Sequence, residues 1–300
     1  MQEILKDLGI STEAEKVEAL KEQVFEVFES PSMIFCPLTD ELIKDGFYTV
    51  SNSNGNIHGK VASKDSLLPL TDLIDIAYGI NLEKELNFQF DRATVEYFAD
   101  ESIAELQIPL GKSAFRTRNG FSDSTDLYLF IKTGFGGVCR TEVGIYTYRW
   151  ACENGLVVRH GLQYFQAKHT EKMNEKVKVF LGEVLPKMTT SVSEFTKMAK
   201  RLDSKDITNE QIESFRQKFF NYKKDDELST KKLNQIEAFN DALREEMERV
   251  GQTVWGLLQS ATNYTNHKHY NKSREFHIVG AGANQNATAE KYCLELVDAK

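Results

Sequence analysis

The residues best suited to bind a charged ligand lie between positions 111 and 169, where basic and aromatic side chains are interleaved. This segment carries 8 Lys+Arg against 4 Asp+Glu, whereas residues 1–110 carry 8 against 21 and residues 170–300 carry 21 against 20. The whole chain has a net charge of −8. A local excess of positive charge can attract a phosphate backbone even on an acidic protein.

Ten residues of this segment are candidates for contacting nucleic acid. The basic candidates, which would neutralise phosphates, are Arg116, Arg118, Lys132, Arg140, Arg149 and Arg159. The aromatic candidates, on which unpaired bases would stack, are Tyr128, Tyr146, Tyr148 and Trp150. This combination favours single strands over duplex grooves. The alternative is that the aromatic side chains are simply core, since apolar faces bury their aromatic residues by default.

An enzymatic interpretation would start from Cys152, which we expect on the same helix face as Arg149. A neighbouring cation lowers the pKa of a thiol, and His160 or His169 could act as the base. No diagnostic spacing links the cysteine to either histidine, so a buried cysteine and a structural arginine are favoured. We assign no catalytic residue.

A zinc site would have to come from His267, His269, His277 and Cys293. These residues lack the compact ligand pairs of a structural zinc site. The run that starts at Gly280 lacks the Lys-Ser/Thr pair of a phosphate-binding loop. We therefore expect neither a metal nor a cofactor.

The composition, with 41% hydrophobic and 27% charged residues, is that of a globular chain. The first thirty residues lack the basic leader and apolar run of a signal peptide, and no apolar stretch approaches the length of a membrane span. The four cysteines are widely spaced, which indicates reduced thiols. We expect a cytoplasmic protein without membrane contact.

The hydrophobic pattern predicts an α+β fold in three parts, in which a mainly antiparallel sheet has flanking helices. The three parts are an N-terminal helical segment (1–44), an α+β core with the basic block (45–169) and a helical part with a final strand and helix (170–300).

Within the first two parts, Thr12 and Glu15 form a capping box that opens a helix continuing to Phe28 and ending at Pro31. Asn54-Gly55 marks a hairpin turn, and Leu70–Tyr78 is predicted as a helix. The predicted strands are Leu86–Phe90, Val95–Phe98, Ala104–Leu110, Asp126–Lys132 and Val138–Thr141, followed by a helix over Glu142–Asn154 with Gly155 after its end.

In the third part, Pro186 is expected to kink or split a long helix, and Thr208 with Gln211 forms a second capping box. A long helix follows over Leu233–Leu257. The chain then ends in a strand over Glu275–Val279 and a helix over Ala287–Val297.

Four segments in order resemble the mobile-element proteins grouped as a domain-of-unknown-function family, number 932. They are the hairpin Tyr48–Val61, the strand and glycine turn Asp126–Gly137, the Arg-x-x-Cys-x-Asn segment Tyr148–Asn154 with Lys168-His-Thr170, and the segment Gly251–His267 with Arg274 beyond it. The likeness covers roughly residues 45 to 297. The family's Ser-His-Asp turn is replaced here by Thr133-Gly-Phe-Gly-Gly137, which removes support for any role of that histidine or aspartate.

The resemblance implies a protein of phages, plasmids or integrated elements in a bacterial host. Such elements commonly carry single-strand binding and annealing proteins, to which the layout is similar at the level of fold alone. The leading hypothesis is therefore a single-stranded nucleic-acid-binding, homo-oligomeric protein of recombination or replication. The alternative is a non-enzymatic host-takeover or virion-associated factor that binds a host or phage protein through its C-terminal helices.

Overall fold

The structure of the 300-residue chain is a computed structural model. It describes residues 12–61, 68–135, 138–149, 151, 153–159, 164–167, 173–270, 273, 276–277 and 280–299. Within these ranges, no helix combines the length and the apolar composition that crossing a bilayer requires.

The chain divides into two compact units, neither of which is continuous in sequence. Unit 1 comprises residues 1–109, 129–143 and 165–189, and unit 2 comprises residues 110–128, 144–164 and 190–300. Unit 1 carries 15 Lys+Arg against 25 Asp+Glu, whereas unit 2 carries 22 against 20. The acidic surplus of the protein therefore belongs to unit 1.

Unit 1 begins with helix α1 (Glu13–Lys21), and the predicted capping box of Thr12 and Glu15 is confirmed. The predicted continuation to Phe28 and Pro31 is wrong, because strand β1 (Val27–Cys36) starts there. Nine of its residues pair with strand β2 (Glu41–Asn52), so their backbone groups bond across a hairpin. Pro31 lies at a register shift in this pairing, where a residue without an N–H is tolerated.

Strand β3 (Ile57–Val61) pairs with β2 and completes a three-stranded sheet, which confirms the hairpin predicted at Asn54-Gly55. The outer part of the β1–β2 hairpin exposes large apolar side chains on both faces, because the adjacent cross-strand pairs Ile34–Ile43 and Phe35–Leu42 point in opposite directions. Helix α2 (Leu70–Glu83) follows and is longer than predicted.

The second sheet has the strand order β4-β5-β6-β7-β8, with β9 also paired to β7. Its strands are β4 (Thr94–Phe98), β5 (Ile103–Arg116), β6 (Ser122–Gly134), β7 (Thr141–Arg149), β8 (Asn154–Val158) and β9 (Phe165–Ala167). Strands β5, β6 and β7 have residues in both units. The three central strand predictions, over 95–98, 104–110 and 126–132, are confirmed.

The strand predicted over Leu86–Phe90 is wrong. Asn87 has a φ of 60°, and the side chain of Asn81 accepts a hydrogen bond from the Phe88 N–H at 2.9 Å. This irregular segment leads into a single 3₁₀ turn (Phe90–Arg92) that buries the Phe90 ring. Local side-chain capping has therefore overridden the alternating pattern.

The helix predicted over Glu142–Asn154 is also wrong, because β7 and β8 occupy this segment as an antiparallel pair. Gly155, expected to follow a helix, lies within β8, and only Thr141 of the strand predicted over Val138–Thr141 is in β7. The β-branched and aromatic residues of β7 suit a pleated strand. Glu153, with a φ of 53°, lies in the turn between the two strands.

Helix α3 (Met173–Met188) closes unit 1 and contains Pro186 in its last turn. Unit 2 contains the other helices, which are α4 (Ser191–Asp203), α5 (Asn209–Phe220), α6 (Thr230–Val250), α7 (Val254–Asn263) and α8 (Ala281–Asp298). The capping box of Thr208 and Gln211 is confirmed at the start of α5. Of the strand predicted over Glu275–Val279, the two described residues are helical and the others lie outside the described ranges. The α+β fold class is confirmed.

Candidate nucleic-acid interface

In unit 2, the strands β6 and β7 present two faces of opposite character. Thr147 and Arg149 of β7 are buried on the inner face, whereas Tyr146 and Tyr148 alternate with them and are half-buried on the outer face. On β6, Asp123 points inward and Tyr128 outward. The residues of the basic, aromatic segment are therefore sorted by strand alternation into two sets.

The inner set centres on Arg149, which is 2% exposed. Its Nε donates to Asp123 Oδ1 at 2.7 Å, and its Nη1 donates to Glu246 Oε2 of α6 at 2.8 Å. The indole N–H of Trp255 donates to the other oxygen of Asp123 at 2.9 Å. Because both carboxylates are fully buried, the guanidinium is the counter-ion that compensates their desolvation.

Glu246 also receives hydrogen bonds from Asn263 Nδ2 and Arg249 Nη1, each at 3.0 Å to Oε1. The network thus joins strands β6 and β7 to helices α6 and α7. Arg149 is therefore a structural residue, because its guanidinium is buried and paired inside unit 2 and is not exposed on the surface.

In unit 1, the predicted contact residue Lys132 is likewise buried. Its ammonium lies 3.1 Å from Glu142 Oε1, with 1% and 6% of the two side chains exposed. Gln166 donates to the same Glu142 oxygen at 3.0 Å and accepts from Arg140 Nη1 at 2.8 Å. Lys132 therefore neutralises an internal carboxylate, whereas Arg140 is exposed.

The outer set forms what we call the tyrosine face, defined by Tyr128, Tyr146 and Tyr148. The rings of Tyr128 and Tyr146 lie 6.2 Å apart at an angle of 47°. Tyr146 lies against Gly155 of the neighbouring strand, where a Cβ would come within 2.9 Å of the phenol Cζ. The absence of a side chain at Gly155 lets the ring of Tyr146 lie against β8.

Lys112 and Arg116 are two exposed cations on β5, which is the other strand next to β6. The ammonium of Lys112 lies 3.5 Å from Asp126 Oδ1, and Arg116 Nε donates to the Gly120 carbonyl at 3.0 Å. Both side chains alternate with the buried Ser113 and Phe115 along β5. Unit 2 therefore combines half-buried rings with exposed cations on adjacent strands.

The other predicted residues are placed elsewhere in unit 2. Arg118 lies in the β5–β6 turn, where its Nη1 donates to Asp206 at 2.7 Å and it remains half exposed. Arg159 follows β8, and its Nη1 donates to Asn284 Oδ1 at 3.3 Å. Trp150 lies outside the described residues. Of the predicted residues, the structure brings Tyr128 and Tyr146 into contact and places Tyr148 on the same side of β7, while Arg116 lies on the neighbouring strand β5 together with Lys112, which was not among the ten candidates.

The cysteines and histidines gather into no reactive centre within the described residues. Burial raises the pKa of the Cys139 thiol to about 11, and burial also raises the pKa of Cys293. His269 is buried and stacked on Phe276 at 4.3 Å. In the part of the chain that the structure describes, no three His, Cys, Asp or Glu residues come together as metal ligands. Cys152, His160 and His169 lie outside the described residues.

The comparisons with known proteins extend this description. No curated protein and no solved structure matches the chain. A family model described as "Domain of unknown function (DUF932)" matches residues 108–289. The match covers more than half of the chain, including β6, β7 and the helices that hold the buried arginine network. This chain therefore belongs to the DUF932 family.

Proposed function

We propose that the protein binds single-stranded nucleic acid on the tyrosine face of unit 2. The observation that carries this proposal is the pair of rings of Tyr128 and Tyr146, 6.2 Å apart on the half-buried outer side of strands β6 and β7. Tyr148 lies two residues further along β7, on the same side. Three adjacent rings on one sheet face can each stack one base.

Sheet faces with exposed aromatic residues are a common way to bind single strands, because every base has a π-face and no groove must be entered. Lys112 and Arg116 on β5 would contact the phosphates next to the stacked bases. Lys112 pairs with Asp126 at 3.5 Å and Arg116 donates to the Gly120 carbonyl, and because both cations are at exposed positions a phosphate can compete for them.

The distribution of charge supports this placement. Unit 2 has a small positive surplus, whereas unit 1 carries 25 acidic residues against 15 basic ones. A strand would therefore be attracted to unit 2 and repelled by unit 1. The proposal places the protein in the cytoplasm of a bacterial host, as an annealing, recombination or replication accessory of a phage or plasmid.

The proposal is tested by fluorescence anisotropy with labelled DNA and RNA single strands of roughly 16 nucleotides. We expect binding at low salt, with log Kd depending linearly on log salt at a slope of about 0.7 per phosphate neutralised. A duplex of the same sequence should bind more weakly. Absence of binding at low salt, together with a stoichiometric host or phage protein recovered in a pull-down, would support the protein-interaction factor instead.

We also propose that the protein is a homo-oligomer that associates through the β1–β2 hairpin of unit 1. A two-stranded ribbon is marginally stable alone, and this one exposes 55% of Phe35 and 64% of Leu42. Eight large apolar side chains are exposed along it, namely Phe28, Met33, Ile34, Phe35, Leu38, Leu42, Ile43 and Phe47.

These side chains are divided between the two faces of the hairpin, and exposed apolar groups that cluster in this way mark a protein–protein interaction site. A second copy is the fitting occupant, because two-fold symmetry brings identical apolar patches together.

Sedimentation velocity tests this association. We expect a dimer or larger species at micromolar concentration, and Phe35→Glu with Leu42→Glu should shift it to monomer. Val179→Glu is the matched control, because Val179 is 61% exposed on α3, outside the hairpin. A monomeric parent protein would refute the assignment.

A further inference from the structure

Among the described helices of unit 2, α4 has the most basic exposed side. Its exposed charged residues are three cations and one carboxylate, namely Lys197, Lys200, Arg201 and Glu194. The longer helix α6 exposes two cations and three carboxylates, namely Lys231, Arg244, Glu237, Glu245 and Glu248. Of these helices, α4 is therefore the one that attracts a polyanion most strongly.

Helix α4 lies alongside the part of β5 that belongs to unit 2. The hydroxyl oxygens of Ser113 and Thr196 are 2.7 Å apart, and the backbone N–H of Arg118 donates to Asp203 Oδ2 at 2.8 Å. Thr196 and Asp203 are seven positions apart, which places them on the same side of the helix. This side of α4 therefore faces β5 and the turn that follows it.

The next row of residues around α4 is exposed and contains two lysines. It consists of Ser193, Lys197, Lys200 and Ser204, all of which are exposed. Lys197 follows Thr196 and Ser204 follows Asp203, so this row is rotated by about 100° from the side that faces β5. Neither lysine is in an ion pair with a residue of the described ranges. Both ammonium groups are therefore available to a ligand.

The cations of β5 lie near this row but on the other side of the strand. Ser113 alternates with Lys112 along β5, so its contact with Thr196 places α4 on the side opposite to Lys112. Strand β4, the other neighbour of β5, pairs with residues 103–107. Within the described ranges, residues 111–116 thus have β6 as their only neighbouring strand. A polynucleotide can pass over this edge from the cations of β5 to the lysines of α4.

We propose that the exposed row of α4 is a second phosphate-binding surface for the single-stranded nucleic acid that binds the tyrosine face. Lys197 and Lys200 neutralise phosphates there, which adds affinity without reading sequence. This inference rests on the proposed function and adds a length requirement to it. Only a polynucleotide long enough to span both surfaces gains from the lysines of α4.

Fluorescence anisotropy of the full chain with labelled single strands of roughly 6 and roughly 16 nucleotides tests the second surface. Lys197→Gln combined with Lys200→Gln should raise Kd for the longer strand by about tenfold. It should also lower the salt-dependence slope by about 1.4, the effect of two phosphate contacts. Kd for the shorter strand should not change, because the tyrosine face accommodates that strand alone.

The matched control is Lys223→Gln combined with Lys224→Gln. These two lysines are exposed between α5 and α6, and their replacement changes the net charge by the same amount. The control should bind both lengths as the parent protein does. Tyr146→Ala should weaken binding of both lengths, because both strands occupy the tyrosine face.

The two proposals fail in different ways. If the parent protein binds and the α4 variant retains both its affinity and its slope for the longer strand, the second surface is refuted while the tyrosine face stands. An equal loss in the control variant would also refute it, because net charge would then explain the effect. An equal loss at both lengths would overturn the length requirement. A parent protein that binds neither length would overturn the proposed function and this inference together.

Discussion

The inner and outer faces of strand β7 in unit 2 differ more than their adjacent residue numbers indicate. Arg149 and Tyr148 are neighbours in sequence, but Arg149 is 2% exposed and joined to two buried carboxylates, whereas Tyr148 is half-buried on the opposite side. On the inner face, the charge of Arg149 is neutralised by buried carboxylates. The outer face keeps its rings and the cations of β5 where a ligand can reach them.

This difference shows that a basic residue in a basic segment need not contribute to a basic surface. Arg149 and Lys132 each neutralise carboxylates that the fold buries, so the folded protein depends on their charge internally. Arg116 makes one exposed contact with a backbone carbonyl, so its charge is available. Four experiments can break or sharpen this distinction between the two faces.

The largest effect is expected for Arg149→Met. Removing the guanidinium deprives the buried Asp123 of its counter-ion and leaves Glu246 paired with Arg249, which should lower the free energy of unfolding by about 3–5 kcal/mol. Urea denaturation followed by circular dichroism measures it. Arg116→Met serves as the control and should change stability by about 0.5 kcal/mol or less. Equal effects of the two variants would contradict the assignment of Arg149 to the inner face.

The next effect concerns nucleic-acid affinity and the tyrosine face. Tyr146→Ala and Tyr148→Ala each remove a ring worth about 1–3 kcal/mol per stacked base, so anisotropy should show Kd rising by about 5- to 150-fold for each. Tyr146→Phe retains the ring and should bind as the parent protein does. If the alanine variants bind normally while remaining folded, the outer face is not the binding surface.

A smaller effect is expected for Gly155→Ala, which adds a Cβ within 2.9 Å of the Tyr146 phenol carbon. The ring must move away from β8, with a stability loss of about 1–3 kcal/mol and weaker oligonucleotide binding. Combining it with Tyr146→Phe removes the hydroxyl group that crowds the new methyl group. We therefore expect the double variant to be more stable than the sum of the single effects predicts.

The smallest effect is expected for Arg116→Gln. Losing one phosphate contact should weaken binding several-fold and lower the salt-dependence slope by about 0.7. Arg140→Gln is the matched control, because Arg140 is an exposed arginine of the same segment that belongs to unit 1. A change of slope in both variants, or in neither, would argue against the tyrosine face as the phosphate-contacting surface.

Much of the fold followed from local patterns. The capping boxes at Thr12 and Thr208 and the hairpin at Asn54-Gly55 involve residues a few positions apart, and all three were predicted. The prediction of a helix over residues 142–154 was wrong. The apolar spacing of this segment fits both a helix and a strand, and only the pairing of β7 with β8 decides between them.

The candidate site was predicted in part. The three tyrosines and Arg116 were selected from composition, which reports residue types but not the side of the sheet on which they lie. The burial of Arg149 could not be predicted in this way, because its partner Glu246 is 97 positions away along the chain. The π turn over Tyr264–Lys268 that follows α7 likewise gave no local signal, because it continues the helical pattern of the sequence.

The bond between Arg149 and Glu246 also sets an order of events during synthesis. A ribosome adds roughly 5–20 residues per second, so 97 further residues take about 5–20 s to translate. During that interval, Arg149 and Asp123 have left the ribosome without the carboxylate, and without the Trp255 indole, that complete their network. The nascent chain therefore cannot close the interior of unit 2 until α6 and α7 emerge, and any fragment truncated before them is expected to be a chaperone substrate.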